Sequence, residues 1–178
     1  MSLSIRKPLL RGLAIAGLAL GLAAPALAVK PGETAPAFTL PKVGGGTLSL
    51  ADYQGQVVYL DFWASWCGPC RQSFPWMKDM QARYGAQGLR VLAVNVDGKS
   101  SDAEAFLAQF PNLGFSIALD SKGATPGAYQ IKGMPTSFLI GPDGKVLLVH
   151  QSFKDSDRED LQAQLAAALA ANGKGKQP

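Results

Sequence analysis

Val57-Val58-Tyr59-Leu60-Asp61-Phe62-Trp63-Ala64-Ser65-Trp66-Cys67-Gly68-Pro69-Cys70 is the stretch on which the fold turns. Its first seven residues are β-branched, aromatic and almost continuously apolar, the composition of a strand buried on both faces. Gly68 to about Tyr84 then reads as a helix, interrupted or kinked at Pro75. Cys67 and Cys70 stand where the strand gives way to the helix. A cysteine at a helix N-terminus meets free backbone N–H groups and the positive end of the helix dipole, which favour a thiolate. Cys70 follows one turn further in, and Pro69 fixes φ early in the helix without needing to donate a hydrogen bond.

These are the two cysteines of a 178-residue chain. A bond between residues so close closes a tiny loop and adds little stability through chain entropy. Structural zinc takes four ligands, and one histidine with two cysteines falls short of that. Redox chemistry is the use that remains, and a C-x-x-C between a buried strand and a helix is its usual setting.

Working outward, the first 28 residues read as a signal peptide. Arg6, Lys7 and Arg11 form a basic start, Leu13 to Ala24 is an uncharged apolar run, and Ala26-Leu27-Ala28 is an A-x-A cleavage site. The run is about a dozen residues, short of the ~20 that span a bilayer; an uncleaved anchor is the alternative. The formal net charge of +4 comes from 17 basic and 13 acidic residues. Without this segment the chain holds 14 basic against 13 acidic side chains, and no basic cluster with interleaved aromatics points to nucleic acid. Nearly half the residues are hydrophobic, 47%, so a sizeable core is possible. Residues 29–172 are expected to form one domain, followed by a disordered tail over 173–178.

Along that domain, Pro31, Pro36 and Pro41 predict an extended or irregular lead-in. Thr47 to Leu50 alternates like a short strand, and Leu89 to Val96 is a second buried one. Ser101 with Glu104 fits a capping box opening a helix to about Phe110. Phe115 to Leu119 is a strand candidate and Ala124 to Tyr129 a short helical turn. Thr136–Ile140 and Val146–His150 flank Gly141-Pro142-Asp143-Gly144, a hairpin turn. Asp157 to Ala171 is the last helix, with the Asp155–Asp160 charge run at its favourable N-terminal end. Strand, helix, strand, helix, strand, hairpin, helix is an α/β order: parallel βαβ units extended by an antiparallel pair.

The segment Asp61–Arg71 resembles the active-site segment of thioredoxins. The wider pattern resembles the TlpA/ResA-like branch of exported thioredoxin-fold reductases. That pattern comprises Pro36-Ala37-Phe38-Thr39-Leu40, Leu48-Ser49-Leu50, Tyr53-Gln54-Gly55, Phe74-Pro75 and Val94-Asn95-Val96-Asp97. The resemblance covers about residues 31 to 171. It implies a thioredoxin-like fold, a central mixed β-sheet flanked by helices. The reactive pair would be Cys67 and Cys70, with no cofactor beyond their redox-active disulfide. Trp66, Gly68 and Pro69 would complete the motif, and Arg71 would match the basic residue that often follows it, solvated.

The resemblance also implies that Pro135 of Met134-Pro135-Thr136 is cis and packs beside the C-x-x-C, with Met134 offering backbone groups to an extended substrate. Taken alone, that tripeptide reads as an ordinary turn. Asp61 would accept the Cys70 proton, and burial among apolar neighbours would raise its pKa. Two departures stand out. The lysine that thioredoxins place on the next strand is Ala93 here. The acidic residue of the cytochrome c maturation members falls on Gly98, one position after Asp97. Trp63 reads as core, and His150 as a surface or edge residue.

The function expected is an exported, periplasmic thiol–disulfide oxidoreductase that reduces disulfides of substrate proteins through a mixed disulfide, is re-reduced by a membrane electron donor, and works as a monomer. A disulfide oxidase or isomerase shares the chemistry. A thiol peroxidase is a further alternative, since Pro36–Leu40 also resembles peroxiredoxins. Those enzymes carry Thr or Ser three residues before the reactive cysteine, where this chain has Ala64. A Cu(I) carrier using the same thiolates is the non-enzymatic alternative, with Met134 a thin supplement and Met77 and Met80 reading as core.

Overall fold

The computed structural model describes residues 28–174; the signal-peptide reading lies outside it but for Ala28, as does the tail beyond Lys174. Seven strands and four α-helices follow one another. They are β1 (Thr39–Pro41), β2 (Thr47–Ser49), β3 (Val57–Trp63), α1 (Gly68–Tyr84), β4 (Leu89–Asn95), α2 (Ser100–Leu107), β5 (Ser116–Leu119), α3 (Ala124–Ala128), β6 (Thr136–Ile140), β7 (Val146–Gln151) and α4 (Arg158–Lys174). Five strands form one mixed sheet in the order β5-β4-β3-β6-β7. The first three are parallel, as βαβ crossovers demand, and β6 and β7 run antiparallel. The central mixed sheet flanked by helices is the expected thioredoxin-like architecture.

β3 lies at the centre and every residue of it is buried. Its alternating side chains feed two cores. Val57, Tyr59 and Trp63 pack with Phe74, Met77 and Met80 of α1, Phe106 of α2 and Leu161, Leu165 and Leu169 of α4. Val58, Leu60 and Phe62 pack on the opposite face with Leu92, Val94, Phe138 and Tyr129. Ala35, Phe38 and Leu48 of the lead-in close that second core.

The lead-in is more ordered than its prolines predict. β1 and β2 pair antiparallel, Thr39 against Ser49 and Pro41 against Thr47. Pro41 is tolerated because a two-stranded ribbon leaves outward N–H positions that need no partner. Further along, Val43 N donates to Ile117 O at 3.0 Å, and at the other end Gly32 N donates to Val146 O at 2.8 Å and Ala35 N to Gly144 O at 2.9 Å. One segment therefore touches both margins of the sheet.

Other expectations need correction. α1 runs without interruption through Pro75; burial of Phe74, Trp76 and Met77 on either side of the proline outweighs the one backbone bond it forgoes. α2 begins at Ser100 after Lys99, with no side-chain cap, and ends at Leu107. The capping box expected at Ser101 is absent because Ser101 already lies inside the helix. α4 starts at Arg158, after a 3-10 turn over Asp155–Asp157, and runs to Lys174, so Gly173 and Lys174, expected in the tail, are helical.

Candidate active site

The chain leaves β3 at Trp63 and turns at once into α1. Cys67 N donates to Ala64 O at 3.1 Å, closing the turn. Cys67 is the N-cap residue of α1 and Pro69 sits in the first turn. The Cys67 sulfur accepts the Cys70 backbone N–H at 3.2 Å. Sγ thus occupies the place where a capping oxygen would satisfy an otherwise orphaned helix donor. Cys67 and Cys70 are joined in a disulfide with Cα atoms 5.3 Å apart. Cys67 retains 5% exposure and Cys70 none, so an incoming reagent meets Cys67 first. Gly68 is exposed, with open space where a side chain would be.

Trp66 stands at the apex of the turn, 70% exposed, whereas Trp63 is fully buried. Arg71 is solvent-exposed as expected, and it also makes contacts. Its guanidinium lies over the Phe106 ring, 4.8 Å from the centroid, and hydrogen-bonds Gln109, so it joins α1 to α2.

The Met134–Pro135 peptide is cis. Met134 packs against the core cluster that contains both cysteines. A cavity of about 250 Å³ runs along this loop, lined by Gly133, Met134, Pro135, Thr136, Gln151 and Ser152.

Asp61 lies between Tyr59 and Trp63 on the face of β3 that these residues share with the cysteines, and it is buried. Its register partners are Ala93 on β4 and Ser137 on β6. The alanine supplies no charge, and Oδ2 is buried without a hydrogen bond. Desolvation therefore pushes the carboxyl well above the usual carboxylate range. Tyr59, buried alongside, is pushed upward by desolvation and by the Asp61 charge, against the pull of its hydrogen bond to Ser137.

The sequence reading missed what holds the turn. Asp97 accepts from Ser65 N at 3.0 Å, Ser65 Oγ at 3.1 Å and Asn95 Nδ2 at 2.7 Å. A buried carboxylate after β4 thereby clamps the loop that precedes Trp66 and Cys67. The Asn95-x-Asp97 pair directly after a buried strand was the available signal. The sequence reading also passed over Ser137, which accepts from Tyr59 Oη at 2.8 Å. His150 lies on an edge strand as expected, half-buried, with Nε2 3.4 Å from Asp157 Oδ2.

A sulfur seated on helix donors, with a second sulfur one turn on, can exchange disulfides. Comparison with known proteins places the chain in that class. The crystal structure described as a thiol:disulfide interchange protein DsbE from Chlorobium tepidum superposes with a TM-score of 0.77 at 57% identity, covering 80% of this chain and 99% of that one. The chain is a thiol–disulfide oxidoreductase of thioredoxin-like fold.

Residues 31–149 match the AhpC/TSA family, and the chain belongs to it. It is 40% identical over 119 residues to the thiol-disulfide oxidoreductase ResA of Geobacillus thermodenitrificans, covering 67% of this chain and 68% of the relative. It is 35% identical over 121 residues to ResA of Bacillus subtilis, covering 68% and 67%.

Proposed function

We propose that the protein is an exported disulfide reductase acting on substrate proteins. The observation that carries this reading is the seat of Cys67 Sγ, an N-cap sulfur accepting the Cys70 N–H at 3.2 Å. That seat stabilises a thiolate, the species that attacks disulfides. In the reduced protein the Cys67 thiolate attacks one sulfur of a substrate disulfide. The substrate S–S bond breaks, a mixed disulfide forms, and the departing substrate thiolate takes a proton from water. Cys70 then gives its proton to Asp61 and attacks the Cys67 sulfur. The second substrate thiolate leaves, two electrons have passed to the substrate, and the Cys67–Cys70 disulfide remains.

Exposed Trp66 and the Met134–Pro135 loop with its cavity offer the substrate an apolar platform, with Met134 presenting backbone groups to an extended segment. A membrane electron donor restores the dithiol. The apolar N-terminal run with its A-x-A site supports export by a signal peptide spanning residues 1–28, to a periplasm. Among the described residues no helix is long and apolar enough to cross a membrane. The 29–172 unit acts as a monomer.

The test is to equilibrate the pair against dithiothreitol and glutathione buffers and titrate its potential. A value near thioredoxin's, about −270 mV, is expected; one near about −120 mV overturns the reductase direction in favour of disulfide donation. Cys70→Ser should then trap substrates on Cys67.

A further inference from the structure

Beside the indole N–H groups of Trp63 and Trp76, two polar atoms on the helix-covered side of the sheet are buried without a partner among the described residues: Oδ2 of Asp61 and Nδ1 of His150. Buried polar groups are ordinarily paired, so each asks for an explanation. The register links them. Asp61 stands directly opposite Ser137 across the β3–β6 ladder, and Ser137 directly opposite His150 across β6–β7. Side chains so placed share a face, with Cβ atoms about 4.5–5.5 Å apart. Leu148, two residues before His150, packs into the core on that same face.

Ser137 is thus the common neighbour of both orphaned atoms. Its hydroxyl accepts a hydrogen bond from Tyr59 at 2.8 Å, which leaves its own proton to donate. On either side stands an acceptor that lacks a donor. Beyond His150 the row reaches water, because Nε2 lies 3.4 Å from Asp157 Oδ2 and the two side chains are 23% and 27% exposed.

We propose that Ser137 and His150 form a proton relay joining buried Asp61 to the surface at Asp157, with His150 a positioning residue that acts through Asp61. The proposal rests on the proton-acceptor role given to Asp61 above. Asp61, having taken the Cys70 proton, passes it to Ser137 Oγ as Ser137 hands its own to His150 Nδ1. The imidazole releases its Nε2 proton toward Asp157 and water. One proton enters the row and one leaves, and no other bond changes. A neutral imidazole with Nε2–H toward Asp157 leaves Nδ1 as the acceptor, the tautomer this transfer requires. The two lateral links close by rotation of the serine side chain or through one bridging water.

Of the other groups around the row, the indole N–H groups of Trp63 and Trp76 are buried donors that cannot take up a proton. Tyr59 of β3 already donates to Ser137, and α1 brings the reacting cysteines. β4 presents Ala93, α4 presents Leu161 and Leu165, and Asp155 is held by Arg158 at 2.9 Å.

The experiment follows the Cys70-dependent release step by stopped flow across pH, with a fluorogenic disulfide-linked peptide as substrate. His150→Gln keeps a polar side chain at a half-buried site but cannot take up a proton. It is expected to slow release about tenfold, less than the ~100-fold or more typical of a direct general acid or base. Added imidazole buffer should recover part of that loss. Asp61→Asn and the Asp61→Asn/His150→Gln double variant should be equally slow, and Ser137→Thr, which keeps a hydroxyl, should exceed Ser137→Ala. Wild-type release by His150→Gln overturns the relay, as does a His150→Gln deficit that persists undiminished in the Asp61→Asn background. Wild-type release by Asp61→Asn overturns the acid role and the relay with it. Failure of the histidine variant alone leaves the acid role standing.

Discussion

The two faces of β3 are built from the same backbone to different ends. On one face Val58, Leu60 and Phe62 meet Leu92, Val94, Phe138 and Ile140, all apolar and all buried. On the other, Tyr59, Asp61 and Trp63 alternate with Ser137 and His150 across the ladder, and three of those five side chains, Asp61, Trp63 and His150, carry a buried polar atom with no partner among the described residues. The first face has nothing to gain from polarity and stabilises the sheet. The second keeps a carboxyl out of water, at a cost in stability, on the side of β3 that packs with the cysteines.

Five substitutions can break or sharpen that contrast. Cys67→Ser should abolish disulfide turnover while leaving the thermal midpoint nearly unchanged, because the lost bond closes so short a loop; calorimetry alongside a peptide-reduction assay checks both. Phe62→Ala, on the apolar face, should cost about 3–5 kcal/mol in denaturant unfolding without moving the reduction potential. A shifted potential would show that the faces are not separable.

Asp61→Asn should do the opposite, lowering the rate of mixed-disulfide resolution by roughly 100-fold while stabilising the fold. The sign follows from the raised folded pKa. At pH below the unfolded value the acid is neutral in both states and costs nothing extra. As pH rises through the window between the unfolded and folded values, the folded state resists ionisation and loses stability to the unfolded chain. Above that window the wild type should be less stable than Asp61→Asn. Equal stability of the two proteins from pH 4 to pH 9 would refute the desolvation account.

Asp97→Ala should destabilise by about 1–3 kcal/mol, since Ser65 N–H and the Asn95 amide lose their acceptor. It should also broaden the NMR signals of the Ala64–Cys67 turn. Trp66→Ala should change unfolding free energy by less than about 0.5 kcal/mol, as exposed sites do, and raise KM a few-fold with kcat retained. An unchanged KM would remove Trp66 from the proposed substrate platform.

How much of this was legible in the sequence depends on how local each feature is. The strand-to-helix junction around Cys67 and Cys70 needs only neighbouring residues, and its elements match the reading to within a residue or two. The hairpin over Gly141–Gly144 is equally local. β1 was missed because three residues ending in Pro41 carry no alternation to detect, and their pairing depends on β2. The Asp97 clamp spans 32 residues from Ser65. It forms because parallel β3 and β4 end side by side, which a motif cannot display. His150 read as bland for the same reason. Its link to Asp61 exists through two ladder registers, one of them interrupted by an irregularity between Leu139 and Ile140.

The lead-in bears on how the protein keeps to itself. Outer strands of a sheet offer rows of unsatisfied N–H and C=O groups on which a second chain can template. Here one ribbon guards both flanks, with Gly32 and Ala35 hydrogen-bonded at the head of β7 and Val43 to β5. Loosening that ribbon leaves the cysteines and their helix in place while uncovering two sticky margins. The first symptom of damage there is therefore self-association of still-folded molecules, visible by light scattering before any loss of helix.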